Sequence, residues 1–490
     1  MGSFGGDRRV FETSPQRFGR QTPRTFGVDA TLPITSSLSV VGALGPDFSN
    51  VERDQSTIAP QEFALQYGEY RPFFAQGANV LSPLPLIGLN GPPNRTFYTP
   101  SLGIVDDGVK LEGTVGSSSI GALNVKGDGF NDRTFAYAFR RADGSLSLAA
   151  QGIDARHPGV PDRTLAFGGR LTDVRSGLDE IVSYARESGT NVGSTSRAQS
   201  LLSATNYTRG PLQIVGVYQD IGPEYAPIDG YTANNDIRGP AGVVAYNGVP
   251  RSGLLKTFQI SGSLDRYVDR SGAAHQVDAS YGVGAVTRRL LSISANVGTS
   301  ELRTYGSAYP TYTGPRNYLF SQTASSLGFR DGTPTPIEAS YSFGSLGVFC
   351  FGGTRSSSAC SRQQNGFAQA FVNQIDLSTT RTLRAGLSAT FEYAGTLECS
   401  YAGLSDCQWL RRLSLSRPLG SSGQLSLALR LTSGRGGFAL PGEMLAVSFQ
   451  KRFENQDRLF LEYGSPASFR NLNRFILKYV HNIGSGGSGT

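Results

Sequence analysis

The residues best equipped for chemistry are few: four cysteines, three histidines and scattered carboxylates in a chain of 490 residues. The cysteines form two close pairs, Cys350 with Cys360 and Cys399 with Cys407. Each pair brackets a polar stretch, so local disulfides in an oxidising compartment are expected. No histidine stands near either pair, and the spacing is not that of zinc ligands. His157, His275 and His481 sit in no nucleophile–base motif, and no Gly-x-Ser-x-Gly elbow, His-Glu-x-x-His helix or phosphate-binding glycine loop is present. The chain therefore reads as a non-enzyme that needs no cofactor and no metal.

The remaining charged residues suggest a lined passage. Lys and Arg number 45 against 38 Asp and Glu, a formal net charge of +7. The positive residues are spread singly with no basic arm, which argues against nucleic acid as a partner. Dispersed arginines suit a polar lumen and loops facing anionic lipopolysaccharide. A stretch from 46 to 106 carries Asp47, Glu52, Asp54, Glu62 and Glu69. These could cross-link to inward arginines such as Arg384 and Arg430, with Glu392 on the same polar face. Arg71, Phe73 and Phe74 read as packing residues of that stretch, and the whole set is the candidate lumen constriction.

The elements that must position these groups are strands. The chain holds 62 Gly and 25 Pro, 10% aromatic and only 38% hydrophobic residues, and its apolar residues alternate instead of recurring at helical spacing. In "RTLRAGLSATFEYAG" (381–395), Leu383, Ala385, Leu387, Ala389, Phe391 and Tyr393 would share one face of an extended chain. Arg384, Gly386, Ser388, Thr390 and Glu392 would share the other. The same pattern recurs at Phe135, Tyr137 and Phe139, at Leu291, Ile293, Ala295 and Val297, and at Leu425, Leu427, Leu429 and Leu431. A second face of Ala, Ser, Gly and Asn fills a core poorly but suits water. No run of 18 apolar residues exists, which excludes a transmembrane helix and leaves a membrane barrel open.

Connection lengths select the barrel over stacked sandwiches. Read back from the C-terminus, long loops at 465–472, 433–442 and 394–407 alternate with short turns at Glu454–Asp457, Gly420–Gly423 and Ser378–Thr380. Asp143-Gly144 is a further tight turn. This is an all-β, up-and-down antiparallel transmembrane barrel of about 24 strands, within roughly 22 to 26. Residues 1–483 form this one domain, 46–106 fold into the lumen as a plug, and 484–490 read as an added linker. Trp409, Tyr393, Tyr463, Phe453 and Tyr479 fall near strand ends, where interfacial girdles belong. The final strand should point Phe475, Leu477 and Tyr479 outward.

Four segments carry a family resemblance: "FGVDATLPITSSLSVVGALGPDFSNVERDQ" followed by "EYRPFFAQGANVL", then "GVKLEGTVGSSSIGALNV", and later "VYQDIGPEYAPIDGY". Together they resemble the C-terminal barrel of the bacterial family named domain of unknown function 5916. Tyr70, Ala75 and Gln76 depart from its pattern, and the amino-terminal domain usual in that family, similar to family 9 carbohydrate-binding modules, is not in this sequence. The resemblance implies an integral outer-membrane barrel and is silent on substrate. The expected partners are outer-membrane lipid and lipopolysaccharide, the barrel-assembly machinery and small hydrophilic solutes, with the chain a monomer. The function expected is a loop-constricted pore. The runner-up is a plugged barrel that anchors or displays a missing periplasmic or carbohydrate-binding domain.

Overall fold

The computed structural model describes residues 2–10, 18–21, 24–45, 72–85, 94–102, 105–127, 129–232, 235–304, 316–350, 366–396, 409–433, 442–454, 457–464 and 475–480. Twenty-six strand segments form one antiparallel sheet. Phe18–Gln21, Arg24–Phe26 and Val28–Pro33 follow one another along a single stave, which leaves 24 staves around the ring. The sheet closes through Gly2–Val10, paired with the last strand (Gly2↔Tyr479 to Gly6↔Phe475) and with Arg24–Phe26. A ring in which every neighbour is antiparallel must have an even number of staves, and closure removes the unpaired edges that an open sheet exposes.

Alternation on each stave follows burial. On Phe130–Arg140, Ala136 is 0% exposed while Phe135 is 55% exposed. Outward positions elsewhere carry Leu148, Phe167, Val182, Ile214, Val244, Ile260, Ile293, Leu327, Leu377, Phe391 and Leu445, all exposed. An apolar belt of this extent around a closed sheet belongs in lipid, because water would make it an aggregation surface. Phe475, Leu477 and Tyr479 are outward as expected. No described helix is long and apolar enough to cross a membrane.

One end of the barrel carries short connections, the longest being 249–254 and 330–336, and among them is Arg141–Ser145, where Gly144 adopts φ 72° and Asp143 Oδ1 accepts from the Ser145 amide at 3.0 Å. That is an Asx-turn with a left-handed glycine. The other end carries the long connections, including 45–104, 190–198, 222–236, 305–315, 351–365, 397–408, 434–441 and 464–474. The connections at 128–129 and 158–159 on this end are tight as well, so the alternation of lengths is incomplete.

The sequence 381–395 is a hairpin, not one strand. Ser378–Thr380 lie inside Gly366–Thr382, and the chain reverses at Leu383–Leu387, where Leu383 N–H donates to Leu387 O at 2.6 Å and Gly386 takes φ 71°. The loop has five residues, so odd-numbered residues stay outward on both arms and the alternation runs unbroken through the reversal (Thr380↔Thr390, Arg381↔Ala389). Arg384 is therefore an exposed turn residue at the short-connection end and no part of a lumen wall. Leu387 closes that turn.

Candidate functional site

The inward face of the barrel divides into two halves. From Leu38–Leu44 to Ile237–Gly248 it packs against residues 72–85 and 94–102 of the long connection and against Tyr225 of the 222–236 connection. Two one-turn helices, Pro72–Ala75 and Ala78–Leu81, and the 3-10 turn Thr99–Ser101 place Phe73, Phe74, Leu81, Phe97 and Leu102 against Val41, Leu123, Val125 and Ile153, all buried. Phe73 and Phe74 meet edge to face at 5.0 Å. Close approach is bought at glycines. A Cβ on Gly121 would stand 2.9 Å from Val80 O and 3.2 Å from Leu81 Cδ2, and one on Gly168 would stand 2.9 Å from Pro85.

Polar ties hold this inner segment to the wall. Lys110 Nζ donates to Gln76 O at 2.6 Å and pairs with Glu112 Oε2 at 2.6 Å, with both side chains buried. The ammonium also sits 5.3 Å from the Phe73 ring centroid. Gln151 Nε2 donates to Leu81 O at 2.6 Å, and Thr96 Oγ1 donates to Gln151 Oε1 at 2.8 Å. Arg95 and Tyr231 exchange backbone hydrogen bonds at 2.8 Å, and Tyr98 N–H donates to Asp229 O at 2.7 Å. The inner segment is thereby joined to the 222–236 connection as well as to the strands.

That connection folds inward too. Asp162 Oδ2 accepts from Ile228 N–H at 3.0 Å and Glu187 Oε2 from Ala226 N–H at 2.7 Å. Asp162 also stands near His157 and Asp229, and Glu187 stands near Asp162. Burial, with Asp132 and Asp162 beside it, pushes the Asp229 carboxyl up to about 8. Burial and the Glu187 and Asp162 charges also raise the Tyr225 phenol.

Among the described residues the second half of the wall is more open, although inward Asp265, Leu410, Arg430 and Ala446 are buried there too. On Leu291–Thr304, inward Ser294 and Asn296 are exposed, and so are outward Ile293, Ala295 and Val297. Neighbouring inward hydroxyls pair with one another, Ser263 with Ser280 at 2.6 Å and Ser294 with Ser326 at 2.6 Å. A row of cross-strand partners runs Glu338, Ser378, Glu392, Arg412, Arg430 across five staves. Arg412 Nη1 pairs with Glu392 Oε2 at 2.8 Å, both partly exposed, and Arg430 beside them is 2% exposed.

Of the residues singled out from sequence, Phe73 and Phe74 lie in the inner segment, and Glu392 and Arg430 lie on one inward row. Arg384 is excluded from it. Asp47, Glu52, Asp54, Glu62, Glu69 and Arg71 fall outside the described residues. So do Cys360, Cys399 and Cys407, while Cys350 ends the strand Ile337–Cys350. Sequence reasoning missed Lys110, Glu112, Gln151, Arg412 and the Asp132, His157, Asp162, Glu187, Asp229 group. For the strand residues the available signal was a charged or amide side chain at an inward position of an otherwise alternating strand, whereas Asp229, in the 222–236 connection, carried none.

No family model and no curated protein matches the chain. Solved structures with a similar fold include the siderophore receptor PirA from Pseudomonas aeruginosa, with a TM-score of 0.48 at 11% identity, covering 76% of this chain and 75% of that one. The FrpB iron transporter from Neisseria meningitidis has a TM-score of 0.43 at 10% identity, covering 76% and 79%. Salmonella typhi OmpF has a TM-score of 0.31 at 9% identity, covering 75% and 98%. Superpositions of this quality assign the chain neither a family nor a ligand. The closed ring and its apolar belt are those of an integral barrel of outer-membrane type.

Proposed function

We propose that the protein is a bacterial outer-membrane barrel that lets small hydrophilic solutes or ions pass along the open half of its lumen, with no catalytic chemistry of its own. One observation carries this reading: Leu291–Thr304 is accessible on both faces, whereas Leu146–His157 has Ala149, Gln151, Ile153 and Ala155 sealed beneath the inner segment. A stave wetted on its inner face and apolar on its outer face borders a water-filled space in a membrane. The inner segment then acts as a constriction that narrows a ring wider than any small-solute pore needs. Barrels of 16 to 18 strands already leave an aqueous channel, and 22-stranded transporters are plugged. Ser, Thr and Asn line the remaining path, and the Glu392–Arg412 pair projects charge of both signs into it.

Swelling of liposomes containing the purified protein, in solutes of increasing mass, tests this directly. Small sugars and amino acids should enter and larger oligosaccharides should not. Liposomes no leakier than protein-free ones would favour the anchor or scaffold reading.

A further inference from the structure

The wall at the long-loop end carries a group that solute passage does not require. Asp132 lies near the start of Phe130–Arg140, His157 ends Leu146–His157, and Asp229 reaches in from the 222–236 connection. His157 Nε2 lies 3.2 Å from Asp132 Oδ2 and 3.8 Å from Asp229 Oδ1. One ligand-capable atom from each residue falls within 4.8 Å of the other two. The surroundings fix these atoms in place. Asp132 Oδ1 accepts from the Arg156 amide at 2.9 Å, which leaves Oδ2 for the group, and the Phe130 ring stacks on the imidazole at 5.6 Å and 18°.

A second observation is independent of this clustering. Asp229 is 1% exposed, and no N–H or hydroxyl among the described residues donates to either of its carboxylate oxygens, which meet only the Asp132 carboxyl and, at 3.8 Å, His157 Nε2. Asp162 Oδ1, on the neighbouring stave, is buried without a partner as well. Buried carboxylates left unpaired are costly unless a proton or a cation is shared among them. The ion pairs of Asp132 and Asp229 both run to His157, a single imidazole set against several carboxylates.

We propose that Asp132, His157 and Asp229 bind one divalent transition-metal ion, with zinc the best match. An ion held at zinc's usual bond lengths keeps its ligand atoms roughly 3 to 3.5 Å apart, so small side-chain rotations close this triangle. One imidazole with two carboxylates suits zinc or manganese. Calcium and magnesium prefer shells made of oxygen alone. The bound ion would join two hairpin ends to the connection whose Asp229 carbonyl holds Tyr98 of the inner segment. Metal binding would therefore also strengthen docking of the constriction.

The test uses the full chain in detergent, stripped with EDTA and titrated calorimetrically with Zn²⁺, with Co²⁺ absorption as a second readout. One Zn²⁺ per chain should bind at micromolar concentration or below, and Ca²⁺ at least tenfold more weakly. Asp229→Asn and His157→Gln should each weaken Zn²⁺ binding at least tenfold while the heat-modifiable gel mobility of a folded barrel is kept. His275→Gln should leave binding unchanged. Should Asp229→Asn fail to fold, Asp132→Asn gives the same reading. The absence of saturable Zn²⁺ binding would mean that the carboxylates share a proton instead and would overturn the proposal. Unchanged affinity in the double variant His157→Gln/Asp229→Asn would overturn it equally.

Discussion

Replacing Lys110 by Met should release the inner segment while leaving the barrel standing. Lys110 and Glu112 are both buried, and the ammonium is shared between Glu112 Oε2 and Gln76 O. Met fills much of the same volume but abandons a buried carboxylate and a backbone carbonyl. Orphaning one partner of a buried pair costs about 3 to 5 kcal/mol. At about 1.4 kcal/mol per decade, the ratio of docked to undocked segment falls by roughly two to nearly four decades. The penalty falls on the contact between segment and wall, because Lys110 and Glu112 share one strand whose ladder to Ser118–Gly127 does not depend on them. Planar-bilayer recordings should show larger or noisier openings, and trypsin should cleave after Arg95 in the variant sooner than in the parent. Lys110→Met with Glu112→Met should recover most of the parent behaviour, since a buried pair exchanged whole for apolar residues is often close to neutral. Parent conductance and parent trypsin resistance in Lys110→Met would refute the reasoning.

Three further outcomes are expected. Val297→Arg, on the lipid face at mid-strand, should cost about 2 to 4 kcal/mol of folding into liposomes, whereas Asn296→Arg on the adjacent lumen face should be tolerated; equal damage at both would contradict the assigned faces. Gly121→Val, whose first added carbon meets Val80 O at 2.9 Å, should wedge the inner segment off the wall and raise conductance with little change in the temperature at which the barrel unfolds. Non-reducing peptide mapping should join Cys350 to Cys360 and Cys399 to Cys407, each link contributing about 2 to 3 kcal/mol; free thiols or crossed pairs would reject the local pairing.

The barrel was legible in the sequence because lipid imposes a period of two on every stave. Phe135, Tyr137, Leu425 and Phe475 could be assigned an outward face from spacing alone. Glycine-marked reversals such as Gly420–Gly423 were legible for the same local reason. The reversal at Leu383–Leu387 was hidden because its odd-membered loop preserves that period, and Arg384 was misplaced with it. Phe73 and Phe74 were recognisable as packing residues, being too apolar for a solvated connection, but nothing local shows which staves they cover. The two halves of the wall differ in composition: inward Ala136, Ala149 and Ile153 lie under the segment, and inward Ser294 and Asn296 face open space. The Asp132, His157, Asp229 group could not be read because its members are distant in the chain and meet only through strand register and an inward-folded connection.

The most direct test of a lumen narrowed by its own connection is single-channel conductance before and after that connection is removed. Residues 46–104 would be replaced by a short glycine linker, which the antiparallel pairing Leu44↔Asp107 allows without disturbing either strand. Conductance should rise severalfold, with the heat-modifiable gel mobility of a folded barrel retained. Unchanged conductance would place the connection outside the permeation path, and a barrel that stays closed without it would contradict the account of a pore.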